Sequence, residues 1–186
     1  MKNGNKTRLE KMREVLLEAY AVSDAMNQLI LQLLDARAWR AELPGQKRGG
    51  RTIAAIFAHL HNDRLVKLKN SAPHLKRPAP LDPKRCTMKQ AAAAHKKSHA
   101  ACLQMMKEAL SGDAERRVMK FSRDGWLPAW PAGATMFAYM FSHEAHHRGQ
   151  ILMMAHQLGY RAHEAMWRIW AWDKLWRQAG FEKGPR

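Results

Sequence analysis

Apolar residues recur at a spacing near 3.6 in five stretches of the chain, and no run of strict alternation is long enough to demand a sheet. The pattern predicts an all-α protein. The first helix opens at Thr7, which with Glu10 forms a capping box, hydroxyl and carboxylate each taking an amide that a helix start leaves without a partner. Its stripe passes through Leu9, Met12, Leu16 and Tyr20, then Met26, Ile30, Leu33 and Leu34. It is expected to reach about Arg40, where LPGQKRGG ends the helix with a proline and three glycines.

A second helix is predicted from near Thr52 to about Asn70, followed by SAPHLKRPAPLDPKR, whose four prolines make it a loop. Thr87 and Gln90 repeat the capping-box pattern and open a third, alanine-rich helix from Met88 to Leu110, closed by Ser111 and Gly112. A short extended piece is expected at Val118 to Phe121, inside a connection punctuated by glycine and proline. The fourth helix starts after Pro131 and Gly133 and ends at Leu158, with Gly159 as its cap. A fifth, Arg161 to Gln178, carries Trp167, Trp170, Trp172 and Trp176 at too many angles to form one stripe, so some are expected in the core and others against a partner or the bundle's side. Together these lengths suggest one domain, residues 1–186, built as a four-helix bundle with an additional C-terminal helix.

Composition narrows this picture. With 186 residues and 46% apolar content the chain can bury a core without disulfides, and none of its apolar runs approaches the length of a membrane span. The polar start MKNGNKTRLEKMREVL lacks the apolar centre of a secretory signal, so a cytoplasmic protein is expected. Cys86 and Cys102 are too few for a disulfide framework and lack metal-binding spacing, so both are read as free thiols.

Charge changes the picture more. Thirty-two Lys and Arg oppose 16 Asp and Glu, for a net +16. Between Arg64 and Lys97 stand ten basic residues against one acid, Asp82. Such a segment is ordinarily a solvated face plus a basic loop, and no nucleic-acid motif accompanies it; it nonetheless invites an anionic partner.

The chemistry lies in the histidines. At about 100° per residue, Met136, Met140, His143, His147, Ile151, Met154 and Leu158 fall within a sector of roughly 80°, so His143 and His147 of HEAHHRGQ point inward. An inward imidazole needs a hydrogen-bond partner or a metal, and two at i, i+4 can share one divalent ion. A third ligand is expected from IFAHLHND on the second helix. Periodicity leaves His59 and His61 level, because they flank opposite borders of the stripe Ile53, Ile56, Phe57 and Leu60. Asp63, one turn beyond His59, is placed to orient a ligand or, in the more ordinary role, to pair with Lys67 at i+4. His146 is expected to face a neighbouring helix, with Glu144 at the stripe's margin able to accept from it. Gln150 lies near the stripe and available for hydrogen bonding, while Gly149 inside the helix suggests close approach of another helix. His74, His95, His99, His156 and His163 show no comparable convergence.

The segment TIAAIFAHLHND, followed about eighty residues later by HEAHHRGQILMM, resembles the DinB-like (DinB/YfiT) family of metal-dependent proteins over most of the chain. The family's H-x-x-H-H-R-G-Q string implies its first and last histidines, here His143 and His147, as ligands. Its helix-two ligand follows a small residue and precedes an aliphatic one, which Ala58, His59 and Leu60 match, so the resemblance implies His59. It also implies a four-helix bundle of up-down-down-up topology, often a homodimer, binding zinc, nickel or a similar divalent ion such as iron or manganese, with positions open to water.

Three functional classes follow. The first is a metal-dependent enzyme, a thiol S-transferase or hydrolase, acting on a small molecule or using a low-molecular-weight thiol. The second is a non-catalytic module whose basic loop Lys76 to Lys89 binds nucleic acid or another anionic partner, with a structural metal. The third is a metal-free bundle whose histidines hydrogen-bond to one another.

Overall fold

The computed structural model describes residues 7–45, 51–112, 117–122 and 128–160. Four helices dominate it: α1 (Arg8–Leu33), α2 (Ile53–Ser71), α3 (Met88–Ala109) and α4 (Ala134–Gln157). Both capping boxes form. Thr7 accepts from the Glu10 amide while Glu10 returns a bond to the Thr7 amide, and Thr87 and Gln90 do the same. Gly159, at φ 83°, closes α4 as expected.

Two sequence expectations need correction. α1 stops at Leu33 rather than near Arg40, because Leu34 turns extended and the Asp35 carboxylate caps a separate 3-10 turn, Ala36–Ala38, by accepting from the Arg37 amide. That break lets Trp39 turn inward and donate its indole N–H to the Cys86 carbonyl at 3.0 Å. The amino-terminal part of the α1 stripe is also not core: Leu9 and Met12 are more than half exposed. The extended piece survives as β1 (Lys120–Phe121), paired antiparallel with β2 (Trp130–Pro131). The expected fifth helix and its four tryptophans lie outside the described residues. Among the described residues, no helix is long and apolar enough to cross a membrane.

α1 and α2 each pack against both α3 and α4. Two apolar clusters fill the bundle, one around Ile30, Trp39, Phe57, Ala91 and Ile151, the other around Tyr20, Leu68, Cys102, Met105 and Met140. Their order along each helix gives its direction. α1 passes from Tyr20 to Ile30, second cluster to first; α2 from Phe57 to Leu68 and α3 from Ala91 to Cys102 run the other way; α4 returns from Met140 to Ile151. The topology is therefore up-down-down-up.

Between the clusters every helix contributes buried polar residues: Ser23, Asp24 and Asn27 from α1, His61, Asp63, Arg64 and Lys67 from α2, His95 and Ser98 from α3, Glu144, His147 and Arg148 from α4. Buried polar groups are tolerable only when paired. Arg64 supplies most of the pairing, its Nε and Nη2 donating to the two Glu144 oxygens at 2.9 and 2.8 Å, with Nη2 also 2.9 Å from Asp24. Tyr20 and Asn27 donate to the same Glu144 carboxylate, each at 3.0 Å. Arg64 Nη1 also donates to the His95 carbonyl on α3 at 3.2 Å, so all four helices are tied at one level, and that level carries the histidines.

Candidate metal centre

The i, i+4 spacing on α4 brings the His143 and His147 rings to 4.6 Å between centroids. His59 reaches across from α2, its ring 5.5 Å from His143 and 4.7 Å from His147. One ring nitrogen from each of the three lies within 4.8 Å of the others, a cluster that could hold a metal ion. His147 is buried and the other two half-buried, so the cluster opens toward solvent on one side.

The α4 histidines are oriented by their neighbours. Nδ1 of His143 lies 3.3 Å from Asp63 Oδ2, and Tyr139, one turn earlier on α4, stacks on the ring at 14°. Asp63 also pairs with buried Lys67, whose ammonium sits 4.7 Å from the centre of the Tyr139 ring. Asp63 thus makes the expected i+4 pair with Lys67, and the histidine it faces is His143 on α4 rather than His59. Nδ1 of His147 lies 2.7 Å from Gln150 Oε1, and the Gln150 amide faces His146 Nε2 at 3.0 Å. The Gln150 oxygen can only accept, so Nδ1 of His147 donates and its Nε2 keeps its lone pair, and the Asp63 carboxylate beside Nδ1 of His143 favours the same tautomer there.

Burial, the Lys67 charge and the neighbouring imidazoles outweigh Asp63 and hold His143 down at about 4. Burial lowers His147 as well, against the opposing bond from Gln150. Both imidazoles are neutral at pH 7, the state a metal ligand requires. The donor set fits a divalent metal ion: three imidazole nitrogens within 4.8 Å of one another, two of them on rings steadied by outer partners.

His61, level with His59 by periodicity, is elsewhere. It is buried, donates Nε2–H to the Ala79 carbonyl and takes the Ser98 hydroxyl at Nδ1, both at 3.0 Å. Glu144 does not serve His146: it is turned inward to Arg64, and although burial would raise its carboxyl, the guanidinium holds it at about 2. Gly149 meets nothing within 4 Å, so close helix approach does not explain it. It lines a cavity of about 580 Å³ with Leu43, Arg51, Ile56, Met153 and Met154, bordered by His146 and Gln150.

Sequence reasoning missed Tyr139 and the inward roles of Arg64 and Lys67. The signals were present, in Tyr139 four residues before His143 and Lys67 four after Asp63.

No curated protein and no solved structure matches the chain significantly. A family model described as the DinB family matches residues 9–173, a span that includes all three converging histidines and the helices that present them. The chain belongs to the DinB family.

Proposed function

We propose that this protein is a metal-dependent enzyme of the thiol S-transferase or hydrolase type, with His59, His143 and His147 holding one zinc or nickel ion. The observation that carries the reading is the pair of outer contacts to the α4 histidines, Asp63 to His143 and Gln150 to His147, each at Nδ1, beside a third imidazole in a cluster whose ring nitrogens lie within 4.8 Å. A metal-free cluster of mutually bonded histidines would have no need to fix both Nδ1 protons outward.

A divalent ion there would act as a Lewis acid and lower the pKa of a water or thiol it meets. The protein's own residues supply the rest. Asp63 and Gln150 hold the ligands in one tautomer, Tyr139 stacks on His143, and Gln150 joins the centre to the cavity lined by Ile56, Met153 and Met154. Arg51 at the edge of that cavity is suited to an anionic group on a substrate.

The test is elemental analysis of protein purified without a histidine tag, alongside His143→Ala. About one divalent ion per chain, lost in the variant while helicity persists, supports the reading. Metal content unchanged by the substitution overturns the ligand assignment.

A further inference from the structure

The loop after α2 and the outer face of α3 enclose a groove of about 900 Å³ that is open to solvent and whose lining includes none of the three histidines. Its cations are Lys76, Arg77, Arg85 and Lys97, all exposed. Asp82 is the one acid among its lining residues, and Arg85 lies 3.8 Å from it. Lys76, Arg77 and Lys97 make no ion pair among the described residues. A concave surface with uncompensated charge concentrates field and draws anions.

The loop is not merely basic; it is held in place. Asn62 grips Leu81 twice, its amide donating to the carbonyl at 2.9 Å and its oxygen accepting from the amide at 2.8 Å. His61 holds the Ala79 carbonyl, while Trp39 and Arg40 both donate to the Cys86 carbonyl. Four side chains from outside the loop thus fix its backbone, so little ordering remains to be done when a ligand arrives.

We propose that this groove binds nucleic acid through its phosphate backbone, without regard to sequence. The cations are long, exposed and separate rather than a buried fork, which suits a repeating anion better than one phosphate. Among the described residues no aromatic side chain lines the groove, so they offer neither a mononucleotide nor a stacked base a platform. A membrane would need large apolar side chains exposed beside the charges, and among the described residues those lie elsewhere. An extended acidic peptide pairing as a strand would need free backbone partners, and the Ala79 carbonyl and both backbone groups of Leu81 are already engaged.

The experiment is fluorescence anisotropy of the full chain with labelled DNA of about 20 nucleotides, single-stranded and duplex, titrated from about 50 to 200 mM salt. Binding should weaken with a log–log slope of about −3 to −4 on duplex, as expected for four phosphate contacts. The variant K76Q/R77Q/R85Q/K97Q should lose at least about tenfold in affinity and most of that slope. K11Q/K69Q/K107Q/K120Q, with the same loss of charge away from the groove, should bind nearly as wild type. Circular dichroism checks that both variants fold, and added chelator should leave binding unchanged. No binding at low salt overturns the proposal, as does equal weakening by the two variants, which would assign affinity to net charge. Equal competition by polyglutamate overturns the phosphate assignment.

Discussion

At the scale of single residues, the deciding feature is which polar side chains find partners inside. Arg64 and Lys67 read in the sequence as part of a basic face, yet both are about 1% exposed. Their partners explain it: Glu144 stands eighty positions away, beyond any local pattern, whereas Asp63 was visible at i+4. Replacing Glu144 by Gln should destabilise the fold by about 3–5 kcal/mol in a urea titration, because Arg64 would remain buried without its counter-charge. The double variant Arg64→Met, Glu144→Leu should recover much of that loss; if it is no more stable than E144Q alone, the ion pair is not the cause. The Asp63 bond to His143 can be isolated in the same way. Asp63→Asn, made with Lys67→Met so that no lone ammonium is left inside, should weaken metal affinity roughly 10–100-fold in a chelator competition. Affinity equal to that of Lys67→Met alone would deny Asp63 any part in orienting the ligand. The choice between His59 and His61 was not legible from periodicity, because both flank the same stripe. What separates them is the loop carbonyl of Ala79, which claims His61 from eighteen residues downstream.

At the scale of elements, the helices were the most legible part of the chain because their starts are chemical as well as periodic. Thr7 with Glu10 and Thr87 with Gln90 place two helix starts to the residue. The end of α1 was harder, since its stop depends on Asp35 capping a new turn and on Trp39 finding Cys86, and neither leaves a break in the apolar spacing. Gly149 gives a direct test of how well α4 is understood. Inside a helix, glycine is less favourable than alanine by roughly 0.5–1 kcal/mol, and an added methyl here would meet nothing within 4 Å. Gly149→Ala should therefore stabilise the protein by about that amount in thermal or urea unfolding. A loss of stability would show that the open side of α4 is covered after all, restoring the close approach that the sequence suggested.

At the scale of the whole molecule, the family topology and the level of polar residues across the bundle combine into one property, sensitivity to acid. The resemblance anticipated the up-down-down-up order, but the four-helix polar level needed three dimensions to appear, because it collects residues as distant as Asp24 and Glu144. Several of its histidines are kept neutral by burial. His95 is held down to about 3, His143 to about 4, and His61, His99 and His147 are lowered too. Unfolding returns each to an ordinary value near 6.5, so below that pH the unfolded chain binds more protons than the folded one. Stability is then complete above about pH 6.5 and falls as pH decreases, with sealed His95 alone contributing up to about 1.4 kcal/mol per pH unit. The buried carboxylate acts in a lower window. Glu144, held at about 2 against an ordinary 4.5, gives up its contribution only below pH 4.5. Urea midpoints of metal-free protein should therefore stay flat above about pH 7 and drop between about 6.5 and 5.5, before carboxylates titrate. His95→Gln, which keeps a donor for the Phe57 carbonyl but cannot titrate, should flatten that drop by about one proton's worth. A midpoint constant from pH 7.5 to 5.5 would mean that the polar level accepts protons while folded. Zinc or nickel at about 100-fold its dissociation constant should add roughly 2.7 kcal/mol at neutral pH. That gain should persist across the same interval, because His143, held at about 4 in the folded protein, keeps its lone pair for the ion well below the pH at which the unfolded chain takes up protons.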